Sequence, residues 1–184
     1  ELGLAPNEYE LLYKTLTEKG YLVSDMVDLG LVKQGTNNFY DLFRERIIFP
    51  IQDEKNRSVA FSGRVYKTED TNAKYINSPQ TVVFTKSNIL YNLNKALNEI
   101  KKTKRIVLFE GYMDVIAAHR ANIHDAVASM GTSLTKEQVR LMKRYTDDVT
   151  ICYDGDSAGI EATSRALMLL QAEGIKVKIV LLPD

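Results

Sequence analysis

Three carboxylates in the second half of the chain have types and spacing that suit metal-dependent chemistry. Glu110 ends an apolar run and is followed at once by glycine, and Asp154 and Asp156 follow a second apolar run with one glycine between them. Carboxylate oxygens are the ligands that Mg²⁺ prefers in proteins. A pair of such ions about 3.5–4 Å apart holds both the attacking and the leaving oxygen of a phosphoryl transfer. Three acids at one place would therefore suit phosphoryl or nucleotidyl transfer.

Each of these acids also has a simpler interpretation as a cap of the helix that follows it. A single acid after a strand is usually a cap, whereas an acid–glycine pair after one strand and Asp-Gly-Asp after another favour a metal site. Asp114, one helical turn beyond Glu110, fits two roles equally well: it either supports a ligand or bound water, or stabilises the first turn of a helix through the dipole. Neither a Walker loop nor a nucleophile elbow nor a zinc-ligand spacing is present.

The elements that would position these acids follow from the pattern after residue 104. Apolar runs alternate with amphipathic stretches, which is typical of a parallel sheet with helical crossovers. Strands are predicted at 105–109, 124–130, 149–153 and 176–182, and helices at about 112–121, 135–145 and 157–173. Open parallel sheets bind ligands beyond the carboxyl ends of their strands. If the first and third strands are neighbours, Glu110 and Asp154 meet at that edge.

The first part of the chain, residues 1–102, is expected to be a smaller mixed α+β subdomain, with a second domain at 103–184. Its pattern predicts a helical start, a hairpin, two strands and a last helix, at 1–30, 31–40, 47–51, 58–66 and 92–101. Asn7 and Glu10 have the spacing of a capping box for the first helix. Gly63 interrupts a predicted strand, which indicates a bulge or a close approach of backbone.

Cationic side chains of the first part are interleaved with aromatic and amide side chains, a composition that suits phosphates and bases. An ordinary solvated surface is the alternative. Arg44 and Arg46 are one residue apart on a segment predicted to be extended, so they would share a face. The candidate residues for binding nucleotide or template are Arg44, Arg46, Arg64, Lys74, Tyr75, Asn77 and Lys86.

Composition limits the possible classes of protein. The 184 residues carry a formal net charge of zero, so no global basic signature of nucleic-acid binding exists. The one cysteine, Cys152, excludes an internal disulfide and is interpreted as a buried strand residue. No apolar stretch reaches membrane-spanning length and no signal peptide is visible, so a cytoplasmic location is expected. The chain lacks an initial methionine and stops after a predicted strand, which suggests a part of something longer.

Several segments resemble a known family. The segments 109–114, 128–133 and 153–159 are similar to the three successive motifs of a Toprim domain. Upstream, the segments 44–51, 61–65, 74–79 and 84–86 are similar to the catalytic core of bacterial DnaG-type primases. Toprim motifs alone are shared with topoisomerases, recombination proteins and some nucleases, whereas the upstream set is more specific to primases.

The resemblance implies a Toprim-type fold and a DNA-dependent RNA polymerase that makes short RNA primers during replication. Single-stranded DNA would be its template, ribonucleoside triphosphates its substrates and Mg²⁺ its cofactor, with Mn²⁺ able to substitute. A bacterial, cytoplasmic monomer without membrane contact is expected. In the family, the metal-binding acids match Glu110, Asp154 and Asp156, and a further acid of the same catalytic site matches Asp114. The basic groove of the family matches Arg64, Lys74, Tyr75, Asn77 and Lys86, and Arg44 and Arg46 lie in a matching stretch.

The chain departs from the family in extent. In the family, the strand that ends with Leu-Pro-Asp, here residues 182–184, continues into another acidic pair that completes the metal site. The zinc-binding domain and the region that binds the replicative helicase are also outside this sequence. We therefore expect the fragment alone to be nearly inactive. The alternatives are another Toprim enzyme, either a nuclease or a topoisomerase-like protein, and a non-catalytic nucleotide-binding module.

Overall fold

The computed structural model describes residues 2–67, 73–130 and 133–180. The chain divides into two compact units, one formed by residues 1–52 and 57–85 and the other by residues 53–56 and 86–184. The boundary predicted at residue 102 lies within the second unit, because the helix before it contributes Leu93 and Ile100 to the core that also contains Leu108. A functional division at residue 102 stays a prediction.

The first unit is a mixed α+β structure built on an antiparallel sheet. Its elements are β1 (Gly3–Ala5), α1 (Leu11–Glu18), α2 (Val23–Asp28), β2 (Val32–Gln34), β3 (Phe39–Asp41), β4 (Arg46–Gln52), β5 (Ser58–Val65) and β6 (Tyr75–Asn77). The sheet has the strand order β1-β4-β5-β6, and β2 and β3 form the predicted hairpin. The mixed character predicted for this part is confirmed, although the stretch predicted to be helical begins with a strand.

The first helix, α1, begins differently from the prediction. A capping box of Asn7 and Glu10 is wrong, because the helix starts at Leu11 and Glu10 makes no side-chain cap. Instead, the carboxylate of Asp41 accepts hydrogen bonds from the backbone N–H groups of Leu12, at 2.7 Å, and Tyr13, at 2.9 Å. Free N–H groups in a helix's first turn need such acceptors. Here the acceptor comes from β3 and has no local sequence signal.

The second unit contains the predicted parallel sheet. Its elements are α3 (Leu93–Thr103), β7 (Ile106–Phe109), α4 (Tyr112–Arg120), β8 (Ala126–Ala128), α5 (Lys136–Lys143), β9 (Asp148–Ile151), α6 (Ser157–Ala172) and β10 (Lys176–Ile179), after a 3₁₀ turn at Lys86–Asn88. The strands are all parallel and follow the order β10-β9-β7-β8. The first and third strands of this sheet, β7 and β9, are neighbours, so the condition for Glu110 and Asp154 to lie at one edge is met.

Burial on both faces explains why the strand β7 is a continuous apolar run. Ile106 and Leu108 pack into a core with residues of α3, α5 and α6, whereas Val107 and Phe109 pack into a second cluster with α4. A strand covered on both faces has apolar side chains at every position, as is usual for parallel sheets. The sequence pattern therefore located this strand correctly.

The ends of the other strands differ from the predictions. The predicted strand 124–130 is formed only at β8, and Met130 has a left-handed backbone with φ of 65°. The last strand, predicted at 176–182, is formed at Lys176–Ile179, and positions 181 and 182 of the prediction lie outside the described residues. Cys152 follows β9 rather than lying within it, and it is half-buried.

Among the residues that the structure describes, no helix has both the length and the apolar character needed to cross a membrane.

Candidate active site

The carboxylates lie at the point of the parallel sheet where successive strands are added on opposite sides of β7. From β7 the chain continues to β8 on one side, while β9 pairs with β7 on the other side. Glu110 and Asp154 follow β7 and β9, so both lie at the carboxyl edge of the sheet. Burial raises the pKa of Glu110, and the carboxylates of Asp154, Asp156 and Asp114 raise it further, against a hydrogen bond from the Asp154 backbone. The structure therefore brings the four predicted acids close enough to repel one another.

Glu110 also has an unusual hydrogen-bonding state. Its Oε1 atom is buried and has no hydrogen-bond partner among the described residues. A buried anionic oxygen without a partner is costly unless something binds it. Glu110 therefore has the features of a ligand-binding group.

Asp156 and Asp114 each cap a helix as well as lying at this edge. Asp156 is the N-cap of α6, and its Oδ1 accepts the backbone N–H of Gly159 at 2.7 Å. Asp114 Oδ2 accepts the backbone N–H of Gly111 at 3.2 Å. Burial raises the pKa of Asp114, the Gly111 hydrogen bond opposes this, and the Asp154 charge raises it again. Capping and site chemistry are compatible, because each carboxylate keeps a second oxygen.

The turn that carries Asp154 packs directly onto helix α6. A Cβ atom at Gly159 would lie 2.1 Å from the carbonyl oxygen of Asp154, so only glycine fits there. Tyr153 is buried beneath the turn, and burial raises its pKa to about 12, with the nearby Glu110 charge adding to the rise. The turn is therefore fixed by backbone packing as well as by the Asp156 cap.

The acids have the donor chemistry of a metal site, but their spacing does not form a complete set of ligands. The donors are hard carboxylate oxygens, one of them unpartnered, which suits Mg²⁺. Within residues 2–67, 73–130 and 133–180, no group of three or more His, Cys, Asp or Glu side chains is arranged so that it could hold an ion. The residues thus fit the chemistry of a divalent cation without forming a closed ligand set.

Lys86 is placed at the same edge as the acids. The segment after it runs antiparallel to β8, with Tyr91 and Ala128 exchanging backbone hydrogen bonds of 2.9 and 3.2 Å. Asn92 donates its side-chain N–H to the Ala126 carbonyl at 3.0 Å. Because the segment is antiparallel, the backbone of Lys86 lies beyond the carboxyl end of β8. Burial lowers the pKa of Lys86.

The other candidate binding residues lie in the first unit. Arg64 on β5 is directly opposite Tyr75 on β6, and its guanidinium is 5.5 Å from the tyrosine ring. Lys74 precedes this strand. Asn77 follows on the same strand, and its Oδ1 is buried without a hydrogen-bond partner among the described residues. The structure therefore places Arg64, Tyr75 and Asn77 in one sheet, whereas the sequence pattern did not predict the strand β6.

Arg44 lines a polar cavity of about 740 Å³ in this unit. Its guanidinium lies 3.9 Å from the centre of the Tyr9 ring and 5.6 Å from that of Tyr40. Lys33 and Asn77 line the same cavity. The sequence did not predict that Tyr9, Tyr40 and Lys33 line a cavity with Arg44, and Tyr9 was assigned to a helix face instead. Their only signal was the presence of aromatic and basic side chains in nearby segments.

The segment of Arg44 and Arg46 is not extended as expected, although both arginines line the same cavity. The intervening Glu45 has a left-handed backbone with φ of 53°, so the segment is not extended there. Arg46 is only 6% exposed, and its Nη1 donates to the carbonyls of Gly63 at 3.2 Å and Ala73 at 3.0 Å. A Cβ at Gly63 would lie 2.7 Å from Phe43 Cδ1 and 2.9 Å from Arg46 Cδ, so side chains approach this glycine rather than the bulge or neighbouring backbone that was expected.

Comparisons with known proteins assign both parts of the chain to families. Residues 1–97 match the family model described as DNA primase catalytic core, N-terminal domain, and residues 107–184 match the Toprim-like model. The chain is 43% identical over 184 residues to a DNA primase of Clostridium acetobutylicum, covering all of this chain and 30% of that protein. It thus spans about 30% of the length of the curated relatives that it matches.

Solved structures with the same fold lead to the same group of proteins. The crystal structure of the zinc-binding and RNA polymerase domains of the Aquifex aeolicus primase has a TM-score of 0.92 and 38% identity, covering 100% of this chain and 45% of that chain. A DnaG primase catalytic domain bound to ssDNA has a TM-score of 0.87 and 36% identity, covering 100% of this chain and 58% of that chain. The Toprim-type fold that the resemblance implied is confirmed by these matches.

Proposed function

This chain belongs to the DNA primase family, and from that premise we propose that it is part of an enzyme that makes short RNA primers on single-stranded DNA. The observation that supports this most is the meeting of Glu110 with Asp154 and Asp156 at the carboxyl edge of the parallel sheet, with Lys86 at the same edge. Acids drawn from different strands suit the binding of a divalent cation and transfer of a nucleotidyl group.

In this proposal Glu110, Asp154 and Asp156 hold Mg²⁺, for which Mn²⁺ substitutes, and Asp114 supports them. The bound cation would supply charge neutralisation on the reacting phosphate. The unpartnered Oε1 of Glu110 and the mutual repulsion of the acids support this assignment, because a cation would relieve both. Zinc is assigned no role in this chain.

The reaction is the attack of a primer 3′-hydroxyl on the α-phosphorus of an incoming ribonucleoside triphosphate, with pyrophosphate as the leaving group. Lys86 binds the triphosphate, because an ammonium group at the acidic edge complements phosphate oxygens. Arg44, Arg64, Lys74, Tyr75 and Asn77 bind template or nucleotide through charge and stacking. Arg46, whose guanidinium is engaged with backbone carbonyls, supports the segments before Arg64 and Lys74 instead.

The partners in this proposal are a single-stranded DNA template and ribonucleoside triphosphates. A replicative helicase would bind through a region outside this sequence. The protein would act as a monomer. The assignment of a DNA template agrees with the name of one similar structure, a DnaG primase catalytic domain bound to ssDNA.

Alanine substitution of the acids tests the proposal. In the full-length protein, Asp154→Ala and Asp156→Ala should each abolish the synthesis of labelled RNA on a single-stranded template. Asp147→Ala is the matched control, because this exposed acid lies at the opposite, amino end of the same strand. Normal synthesis by both site variants would exclude the assignment. If the native protein degraded the template or relaxed supercoiled DNA instead of extending a primer, it would be a nuclease or a topoisomerase-like enzyme.

A further inference from the structure

The turn that carries Lys86 is held from inside the protein by two side chains of α5. Gln138 Nε2 donates to the carbonyl of Ile89 at 2.8 Å and to that of Lys86 at 3.5 Å. Thr135 Oγ1 donates to the carbonyl of Ser87 at 2.6 Å. Three of the four carbonyls between residues 86 and 89 are therefore bound by side chains that are about fifty positions away in the sequence.

Gln138 and Thr135 also bond to each other as a capping box. The backbone N–H of Gln138 donates to Thr135 Oγ1 at 3.1 Å, and the backbone N–H of Thr135 donates to Gln138 Oε1 at 3.1 Å. Capping α5 uses only these two bonds. The Nε2 group of Gln138 and the hydroxyl proton of Thr135 remain for the Lys86 turn, so the pair does more than cap a helix.

The burial of Gln138 makes this arrangement specific. The residue is 0% exposed, and a buried amide is tolerated only where its hydrogen-bonding groups are satisfied. Its oxygen is satisfied within α5, and its nitrogen is satisfied by the Lys86 turn. Displacement of the turn would leave the Gln138 side-chain nitrogen without acceptors. The hydrogen bonds of this nitrogen therefore favour the observed position of the turn.

The location of this contact connects it to the acids. The helix α5 follows β8, so its first residues lie at the carboxyl edge of the sheet, where Glu110 and Asp154 also lie. The same segment is fixed farther along by the pairing of Tyr91 with Ala128. The segment that carries Lys86 is therefore held through its main chain at two places, by α5 and by β8. The side chain of Lys86 is flexible and carries its charge at its end, so a fixed main chain limits the positions that the ammonium group can reach.

We propose that Gln138, together with Thr135, is a positioning residue that sets Lys86 for binding the triphosphate of the incoming nucleotide. This inference rests on the proposed function, in which Lys86 binds the triphosphate. Neither side chain needs to touch the substrate, since their effect passes through the backbone of residues 86–89.

A double-mutant cycle tests the proposal in the full-length protein. Gln138→Met, which keeps the length of the side chain but removes the amide, should raise KM for ribonucleotides about tenfold, since small displacements of positioning groups cost up to ~100-fold. In a Lys86→Ala background the same change should add less than about twofold, because contacting groups that act as a unit are non-additive. Thr135→Ser, which keeps the hydroxyl, should retain a normal KM.

Thr146→Val is the matched control for general destabilisation. It removes the hydroxyl of a residue that is only 8% exposed, and the bond of this hydroxyl to the Lys104 carbonyl lies at the amino end of the sheet. It should lower the melting temperature without changing KM. An unchanged KM in Gln138→Met, or an equal increase with and without Lys86, would overturn the positioning role. That result is distinct from failure of the proposed function, which would appear as normal primer synthesis by Asp154→Ala and Asp156→Ala.

Discussion

Glu110 and Asp154 come from strands that are neighbours in space but about forty residues apart in the chain, and the backbone of Asp154 donates a hydrogen bond to the Glu110 carboxylate. The bond only partly offsets the burial and the nearby negative charges that raise the pKa of Glu110. The fold thus holds an acid in a place where its ionised form is unfavourable. Such local cost is common at functional sites, where activity and stability compete.

Replacing Glu110 with glutamine should stabilise this chain at neutral pH while it abolishes primer synthesis. The folded-state pKa of Glu110 is raised, so ionisation costs more in the folded chain than in the unfolded chain. That cost is absent below the unfolded pKa of about 4.3, where both states are protonated. It develops as pH rises through the folded pKa. The melting temperature of Glu110→Gln should therefore exceed that of the native chain at pH 7, and the gap should close near pH 4.

Glu137→Gln is the control for this comparison. Glu137 is an exposed acid in the first turn of α5, where the helix dipole favours a negative charge. Its replacement should leave the melting temperature unchanged or slightly lower. A Glu110→Gln variant that melts below the native chain at pH 7 would contradict the raised folded-state pKa of Glu110.

Gly159→Ala should damage both the site and the stability of the chain. The new Cβ would lie 2.1 Å from a backbone oxygen of Asp154, which no side-chain rotation can relieve. Relief requires movement of the Asp154 turn or of α6, and overpacking of this kind costs about 1–3 kcal/mol. Denaturant unfolding should show that loss, and primer synthesis should fall. Ser164→Ala, on an exposed position of the same helix, should change stability by less than about 0.5 kcal/mol.

The sequence was informative where the fold depends on local pattern. The apolar run at β7 predicted a strand covered on both faces, and its alternating side chains do enter two separate cores. The acid–glycine pairs predicted the carboxyl edge, because strand direction alone brings Glu110 and Asp154 there. These conclusions needed no knowledge of contacts between distant segments.

Features that depend on distant contacts could not be predicted in the same way. The cap of α1 is Asp41, which lies beyond a second helix and a strand. Thr135 and Gln138 have the spacing of a capping box, but their bonds to the Lys86 turn join segments that share no pattern. The left-handed backbone at Glu45 interrupts the segment that was expected to be extended, and it has no signal in the sequence.

The contrast between Arg44 and Arg46 gives the last prediction. Both are arginines of one short segment, but Arg46 is buried and donates to two backbone carbonyls, whereas Arg44 stacks on Tyr9 beside a polar cavity. Arg46→Met should cost about 2–4 kcal/mol of stability, because buried carbonyls lose charged donors. Arg44→Met should cost less than about 1 kcal/mol, since a partly exposed cation–π contact is worth roughly that amount.

Binding of single-stranded DNA by the full-length protein should separate the same two variants in another way. If Arg44 contacts phosphate, Arg44→Met should weaken binding and reduce the slope of log affinity against log salt by about 0.7, the value for one phosphate contact on a single strand. Arg46→Met, when tested at a temperature where it remains folded, should leave that slope unchanged, because a guanidinium engaged with backbone carbonyls displaces no counterions from DNA. Equal slopes in the native protein and Arg44→Met would remove Arg44 from the proposed template-binding surface and leave the cavity beside Tyr9 without that role.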